Sequence, residues 1–361
     1  MVSVSKRLDK VFSASKKARV ALLINTANTD PNFSYLTGFT GTFEGSLLIA
    51  LPKKEILLVS PLEYGVAKKM KPKEMQIVLM ESRKKIEATL KKYLKGKTVG
   101  INGSFMPFRL YKRLKKLSGA KRLVDISEAF YSARNIKDES EIAMIRGANS
   151  IIKRALRKIP KYFKDGVTER EIATKLNELA IEFGGDGPSF PTIVCFGANS
   201  AIPHYVPADA RLEPNSFVLI DCGTKYGNYC SDVTRTFIYK PKKKSEKYRK
   251  MMDMYKTVKE AQLLALKSVK PGVKGSVPHN IAAEHIDKAF NGRYKGKFIH
   301  TLGHAIGIEV HDPGTGFFPS ETDKLREGMV ISDEPGIYVN GFGGVRIEDD
   351  VLVTKKGAKI L

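Results

Sequence analysis

A chain of 361 residues with 42% hydrophobic and 28% charged residues is long enough for one large domain or two, and its composition excludes a disordered or collagen-like chain. The formal charge of +24 is regional: residues 1–130 hold 26 Lys and Arg against 10 Asp and Glu, net +16, which leaves +8 for residues 131–361. The bases are scattered over helix-patterned stretches such as "KKIEATLKKYLKGK" without aromatic interleaving, so a solvated basic surface is expected and nucleic acid is not the expected partner.

The opening stretch, "MVSVSKRLDKVFSASKKARVALLINT", has no apolar run leading to a small-residue cleavage site, as a secretory signal would. Nothing approaches the ~18 uncharged apolar residues of a membrane span. Cys195, Cys222 and Cys230 are odd in number and lack a C-x-x-C spacing, against a disulfide framework or a structural zinc site. A cytoplasmic protein without membrane attachment is the expectation.

From Val20 to about Asp125, six short apolar runs ("VALLIN", "SLLIALP", "EILLVS", "MQIVLM", "TVGIN", "RLVDI") alternate with basic amphipathic stretches, the pattern of a small α/β domain. A boundary near residue 130 follows. Asp138 and Glu141 then form a capping-box pattern ahead of Ile142, Ile145 and Ala148 at helical spacing, which predicts the first long helix of a second domain. Thr168 caps a second helix and Gly184 stands near its end. Beyond Phe190 the chain turns strand-rich, with helical regions at 248–269 and 279–290, so an α+β domain is expected for residues 131–361.

The chemistry collects in that second half. In "DCGTKYGNYCSDVTRTF", a two-residue loop at Tyr226-Gly227 would set Asp221 directly opposite Asp232 on paired strands. Two bare carboxylates that close repel one another, whereas cations between them relieve the repulsion. "DEPGIYVNGFGGVRIEDD" repeats the arrangement, with Glu334 and Glu348 equidistant from Gly341. Four such carboxylates with one imidazole suit two divalent ions ~3.5 to 4 Å apart, as in two-metal hydrolytic sites, and the oxygen-rich set favours hard ions such as manganese. The imidazoles lie in "FIHTLGHAIGIEVHD" as His300, His304 and His311, and His204 stands in a loop. His300 and His304 lack the intervening glutamate of H-E-x-x-H, so a zincin is excluded. His279 and His285 fall on a predicted helix and are read as structural.

Taken singly, each of these residues has an ordinary explanation, an Asx-turn for Asp221 or a solvated strand end for Glu334. Their conjunction in the most acidic part of a basic chain does not: residues 301–350 hold 10 Asp and Glu against 3 Lys and Arg.

Seven blocks in order resemble the pita-bread metallopeptidases, in particular the branch of aminopeptidase P and prolidase: "DPNFSYLTGFTG", "ARNIKDESEIAMIRGA", "FPTIVCFGANSAIPHY", "IDCGTKYGNYCSDVTRTF", "HTLGHAIGIEVHD", "DEPGIY" and "VRIEDD". The resemblance implies a pita-bread catalytic domain at 131–361 behind a smaller α/β creatinase-type domain at 1–130. It implies Asp221, Asp232, His304, Glu334 and Glu348 as ligands of two divalent ions, manganese first and cobalt, iron or zinc as alternatives, with Asp232 and Glu348 shared between them. His204, His311 and Glu334 are the implied catalytic residues, and His300 and Arg346 the implied substrate-positioning ones. A peptide with an Xaa-Pro N-terminus and a homodimer are the implied partners. A tertiary Xaa-Pro amide lacks an N–H, so a pocket shaped to its ring accepts what general peptidases reject.

Within the branch, prolidases generally follow the equivalent of His311 with Glu-x-Pro-Arg, whereas here Asp312, Pro313, Gly314 and Thr315 follow. The expectation is therefore an Xaa-Pro aminopeptidase, with an Xaa-Pro dipeptidase as the alternative and a non-catalytic protein- or nucleic-acid-binding module as a third reading.

Overall fold

A computed structural model describes residues 4–70 and 75–361. The chain divides into two compact units, Met1–Arg134 and Asn135–Leu361.

All six apolar runs of the first unit are strands: β1 (Ala21–Ile24), β2 (Leu47–Leu51), β3 (Lys54–Val59), β4 (Met75–Leu79), β5 (Thr98–Ile101) and β6 (Arg122–Asp125). They form one sheet in the order β4-β3-β2-β1-β5-β6, which leaves β4 at an edge. The β1–β2 and β2–β3 pairs are antiparallel and the outer pairs parallel. Leu90 and Leu94 of the helix Arg83–Leu94 and Leu114 and Leu117 of the helix Phe108–Ser118 pack on its buried face with Leu22, Ile49, Ile56 and Val99. The exposed faces of those helices carry the lysines and arginines, which explains how so basic a sequence still closes a core.

In the second unit the capping box of Asp138 and Glu141 opens the helix Glu139–Lys158, and that of Thr168 and Glu171 opens Glu169–Glu182. The remaining long helices are Glu246–Ser268 and Ser276–Gly292, the latter interrupted at residues 289–291. The strands are β7 (Gly187–Pro188), β8 (Ile193–Phe196), β9 (Ser216–Cys222), β10 (Thr224–Tyr226), β11 (Tyr229–Cys230), β12 (Val233–Tyr239), β13 (Val330–Asp333), β14 (Gly336–Val339), β15 (Gly343–Arg346), β16 (Asp349–Thr354) and β17 (Gly357–Ile360). They make short antiparallel sheets, β11-β10-β7, β12-β9-β8, β13-β16-β17 and the β14–β15 hairpin.

Strand alternation sorts these side chains between core and site. On β12, Val233 and Tyr239 enter a core with Leu156, Leu176 and Ile220, while Thr234 and Thr236 face the other way. Across β13 to β15, Ile331, Ile337, Val345 and Ile347 pack on Met254, Val258 and Ile286. Tyr338, Arg346 and Glu348, one residue out of phase, are left on the opposite side.

The register of the first acidic hairpin differs from the sequence expectation. Tyr226 pairs with Tyr229 and Lys225 with Cys230, so the turn is Gly227-Asn228, and Asp221 stands opposite Thr234 rather than Asp232. Gly227 and Asn228 have φ of 57° and 73°, the left-handed values a two-residue hairpin turn demands and a tyrosine disfavours. Asp232 lies between the ends of β11 and β12, offset from Asp221 along the sheet. The second hairpin has the expected register: Gly336 pairs with Arg346 and Asp333 with Asp349, and this places Glu334 across from Glu348.

Candidate active site

A cavity of about 370 Å³ opens in the second unit, and Asp221, Asp232, Glu334 and Glu348 lie at its wall with His204, His300, His304, His311 and Arg346. Every site residue expected from the sequence is thus brought to one cavity. The tightest grouping is Asp232, His304 and Glu348, whose ligand atoms lie within 4.8 Å of one another. His304 Nε2 is 3.6 Å from Asp232 Oδ2 and 3.5 Å from Glu334 Oε1.

Each candidate ligand is held from behind. The His304 segment bridges to β13 through Ala305 and Ile331, and its N–H donates to Ser332 Oγ at 3.0 Å while that hydroxyl donates to Glu334 Oε1 at 3.2 Å. One serine therefore positions both His304 and Glu334. Gly303 makes the approach possible, since a Cβ there would sit 1.8 Å from the Ser332 carbonyl oxygen. Thr234 Oγ1 donates to Glu348 Oε2 at 2.6 Å, and Asp350, itself bonded by Asn149 at 2.7 Å, accepts the Asp232 N–H at 3.1 Å. Arg346 donates to Asp221 Oδ2 at 2.6 Å, to Tyr338 Oη at 2.7 Å and to Thr234 Oγ1 at 3.1 Å. The guanidinium is thus committed to aligning Asp221 and the strand pair. Tyr338 in turn meets His300 Nε2 at 2.8 Å, and His300 Nδ1 donates to the Thr301 carbonyl at 2.8 Å.

Thr234, Ser332, Tyr338 and Asp350 were not singled out from the sequence. The run Glu348-Asp349-Asp350 inside the apolar strand "VRIEDDVLV" was a signal for Asp350, because adjacent acids within a buried strand need partners.

Burial dominates the electrostatics. It pushes the Asp232 carboxyl well above its usual range, with Glu348, Asp221 and Glu334 adding to the effect. Burial raises Glu348 likewise, helped by Glu334 and Asp221. Glu334 is pushed up to about 8 by burial, against the pull of Arg346. Burial lowers His304 to about 4, with His311 adding repulsion at a ring separation of 4.1 Å, and lowers His300 to about 4 as well. His304 Nδ1 faces the Ala305 carbonyl at 3.3 Å. A carbonyl only accepts, so the proton sits on Nδ1 and the Nε2 lone pair faces the carboxylates, the tautomer of a metal ligand. Asp221 Oδ1, Asp232 Oδ1 and Glu348 Oε1 are buried without a hydrogen-bond partner. Buried carboxylate oxygens left bare are costly, and cations satisfy them. The donor set fits divalent metal ions, oxygen-rich with one neutral imidazole.

Among the surrounding histidines, His204 and His311 are exposed at the cavity, while His279 is buried and its Nδ1 accepts the Leu302 N–H at 3.1 Å. His279 is therefore structural. Thr315 is buried and tied to Asn135, whose Nδ2 donates to Thr315 Oγ1 at 3.2 Å. Among the described residues, no helix is long and apolar enough to cross a membrane.

Comparison with known proteins agrees with this architecture. Residues 143–355 match the model of metallopeptidase family M24, and residues 7–136 match the creatinase/prolidase N-terminal domain. An Xaa-Pro dipeptidase of Pyrococcus horikoshii is 35% identical over 99% of this chain and 97% of its own. The structure of an Xaa-Pro dipeptidase from Bacillus anthracis is 29% identical with a TM-score of 0.87, covering 99% of this chain and 97% of its own. That of an X-Pro aminopeptidase from Thermotoga maritima is 30% identical with a TM-score of 0.86, covering 95% of each. With the pita-bread arrangement, the carboxylate and imidazole centre and matches that run along nearly the whole length, the chain belongs to metallopeptidase family M24 and is a metal-dependent hydrolase.

Proposed function

We propose that this chain is an Xaa-Pro dipeptidase, releasing proline from a dipeptide in which proline is the second residue. The carrying observation is the carboxylate and imidazole cluster at the wall of a cavity of about 370 Å³, near the lower end of small-molecule sites, in a chain matched end to end by relatives of that name. This reading displaces the Xaa-Pro aminopeptidase expected from the absent arginine. Position 315 is a weak guide here, because Thr315 is turned inward onto Asn135 and takes no part in lining the cavity.

Asp221, Asp232, His304, Glu334 and Glu348 would hold two divalent ions, with manganese the proposed choice. Bound there, the ions supply Lewis acidity that polarises the scissile carbonyl and acidifies water. Glu334, at the cavity wall 3.5 Å from His304, takes the proton of the attacking water at its carboxyl and passes it to the leaving imino nitrogen. His204 and His311 face the open cavity and donate to the substrate's peptide and carboxylate groups. His300, locked between Thr301 and Tyr338, keeps the wall rigid on the side where Arg346 orients Asp221. A homodimer and a cytoplasmic location complete the proposal. Three free, buried cysteines are compatible with a reducing compartment.

A second reading, Xaa-Pro aminopeptidase, is favoured by one observation, the Thr315 that stands where prolidases generally have arginine. Hydrolysis of Ala-Pro and Ala-Pro-Ala by chelator-stripped, manganese-reloaded protein separates the two. Preference for the dipeptide supports the proposal and release of alanine mainly from the tripeptide overturns it, while no manganese-dependent cleavage of either would leave the binding-module reading in its place.

A further inference from the structure

The strand β4 ends its sheet, and its one partner among the described residues is β3. Its neighbour Met80 donates its N–H to Val59 O on β3 at 2.9 Å. Successive residues of a strand point their backbone groups to alternate sides, so the N–H groups of Ile77 and Leu79 point to the open edge. Edge strands are usually guarded by a charge, a proline or a bulge. "MQIVL" has no charge, proline or glycine, and Ile77, Val78 and Leu79 are only half-buried.

A groove of about 370 Å³ runs along this edge, lined besides the strand by Tyr64, Glu81, Lys85, Lys92 and Tyr93. The Tyr93 hydroxyl bonds Gln76 Oε1 at 3.3 Å, which fixes the helix Arg83–Leu94 beside the strand. A strand edge beside a helix is the geometry of peptide capture by strand addition, in which backbone bonds give affinity and flanking side chains give selectivity. That helix holds Arg83, Lys84, Lys85, Lys91 and Lys92; Lys85 pairs with Glu81 at 2.9 Å and Lys91 with Glu87 at 2.7 Å, which leaves a net charge of +3 over residues 81–94. Lys85 and Lys92 stand seven residues apart, about 10 Å along the axis, a span that about three residues of an extended strand cover.

We propose that the outer edge of β4 is a docking groove for an extended acidic peptide, which joins the sheet as a seventh strand. The charge pattern at this edge selects this occupant over a second copy of the chain paired through the same strand, which would bring the same local excess of lysines to the contact.

A fluorescein-labelled peptide of alternating Glu and Val, seven residues long, provides the test with the full-length protein. Expected are saturable binding at low salt, slowed amide exchange at Ile77 and Leu79, no binding of the matching Lys and Val peptide, and at least tenfold weaker binding by the Lys85→Glu/Lys92→Glu variant. Ile77→Pro removes one outward N–H and leaves the β3 ladder intact, as edge strands allow, and should abolish binding. Circular dichroism melting checks that variant's fold, and should it fail to fold, the charge-reversal variant and the exchange measurement decide. Absence of saturable binding, undiminished binding by the charge-reversal variant, unchanged exchange at Ile77 and Leu79, or preferential binding of a single-stranded thymidine oligonucleotide in the same groove would overturn the proposal.

Discussion

Stripping divalent ions from the protein and raising the pH from 7.25 to 8.5 should weaken the Asn135–Leu361 unit, and restoring manganese should cancel the effect. In the metal-free fold Glu334 titrates near 8, against 4.5 for the ordinary group. Between those values the folded chain holds a proton that the unfolded chain has released, so stability falls as pH rises. For this one group the loss between pH 7.25 and 8.5 comes to about 1 kcal/mol, or about 2–4 °C in melting temperature for a unit of this size. Asp232 and Glu348, raised in the same way, act in the same direction. His300 and His304 are lowered to about 4 from 6.5, and burial lowers His279 and His311 as well; all four act oppositely, but the unfolded imidazole has lost most of its proton by pH 7.25 and their effect lies below that. The chosen window therefore isolates the carboxylates. Calorimetric melts of stripped and manganese-loaded protein at pH 7.25, 7.9 and 8.5 read the difference directly. A stripped protein whose upper transition is flat or rises over this window would refute the reasoning, as would manganese that fails to restore it.

Replacing Asp232 with Asn should raise the melting temperature of the stripped protein, because the folded state no longer has to hold one of several crowded buried carboxyls protonated, yet lower that of the manganese-loaded protein and cut turnover of Ala-Pro by ~10³-fold or more. Manganese titration calorimetry should also find weaker binding. Tyr338→Phe unlinks His300 from Arg346 and should lower kcat about tenfold with little change in manganese affinity, as steady-state kinetics beside metal titration will test. Gly303→Ala drives a Cβ into the Ser332 carbonyl and should cost about 3 kcal/mol or more, read by urea unfolding. Asn149→Leu leaves Asp350 without its side-chain partner and should cost about 2–3 kcal/mol in the same assay.

Much of this was legible because the signals were local. The six apolar runs became six strands, and the capping boxes at Asp138 and Thr168 started their helices where side-chain and backbone donors balance. The register of Glu334 and Glu348 could be read because a glycine-rich turn centres both. The pairing of Asp221 with Asp232 was misjudged by taking Tyr226-Gly227 as the turn, although Gly227-Asn228 is the pair that tolerates positive φ. What stayed hidden is long-range. Lys153 and Arg235 reach Asp349 at 2.7 Å each from a helix and a strand far apart in the chain, and no spacing rule foretells which acid they neutralise. Thr234, Ser332 and Tyr338 are ordinary strand residues in the sequence, and only the alternation of the folded strands turns them toward the ligands.

The hairpin that holds Glu334 and Glu348 keeps a single pairing offset through both ladders, from Val339 opposite Gly343 at its tip to Val330 opposite Leu352 at its base. A one-residue insertion or deletion inside β14 or β15 therefore turns part of that strand over, exchanging Ile337 or Val345 for a neighbour in the core as it carries a glutamate away. Length variation, which surface loops absorb freely, is confined here to the tip at residues 340–342. The strands can change in composition but not in length, so the separation of these two carboxylates is protected by the cost of misfolding as well as by the loss of activity.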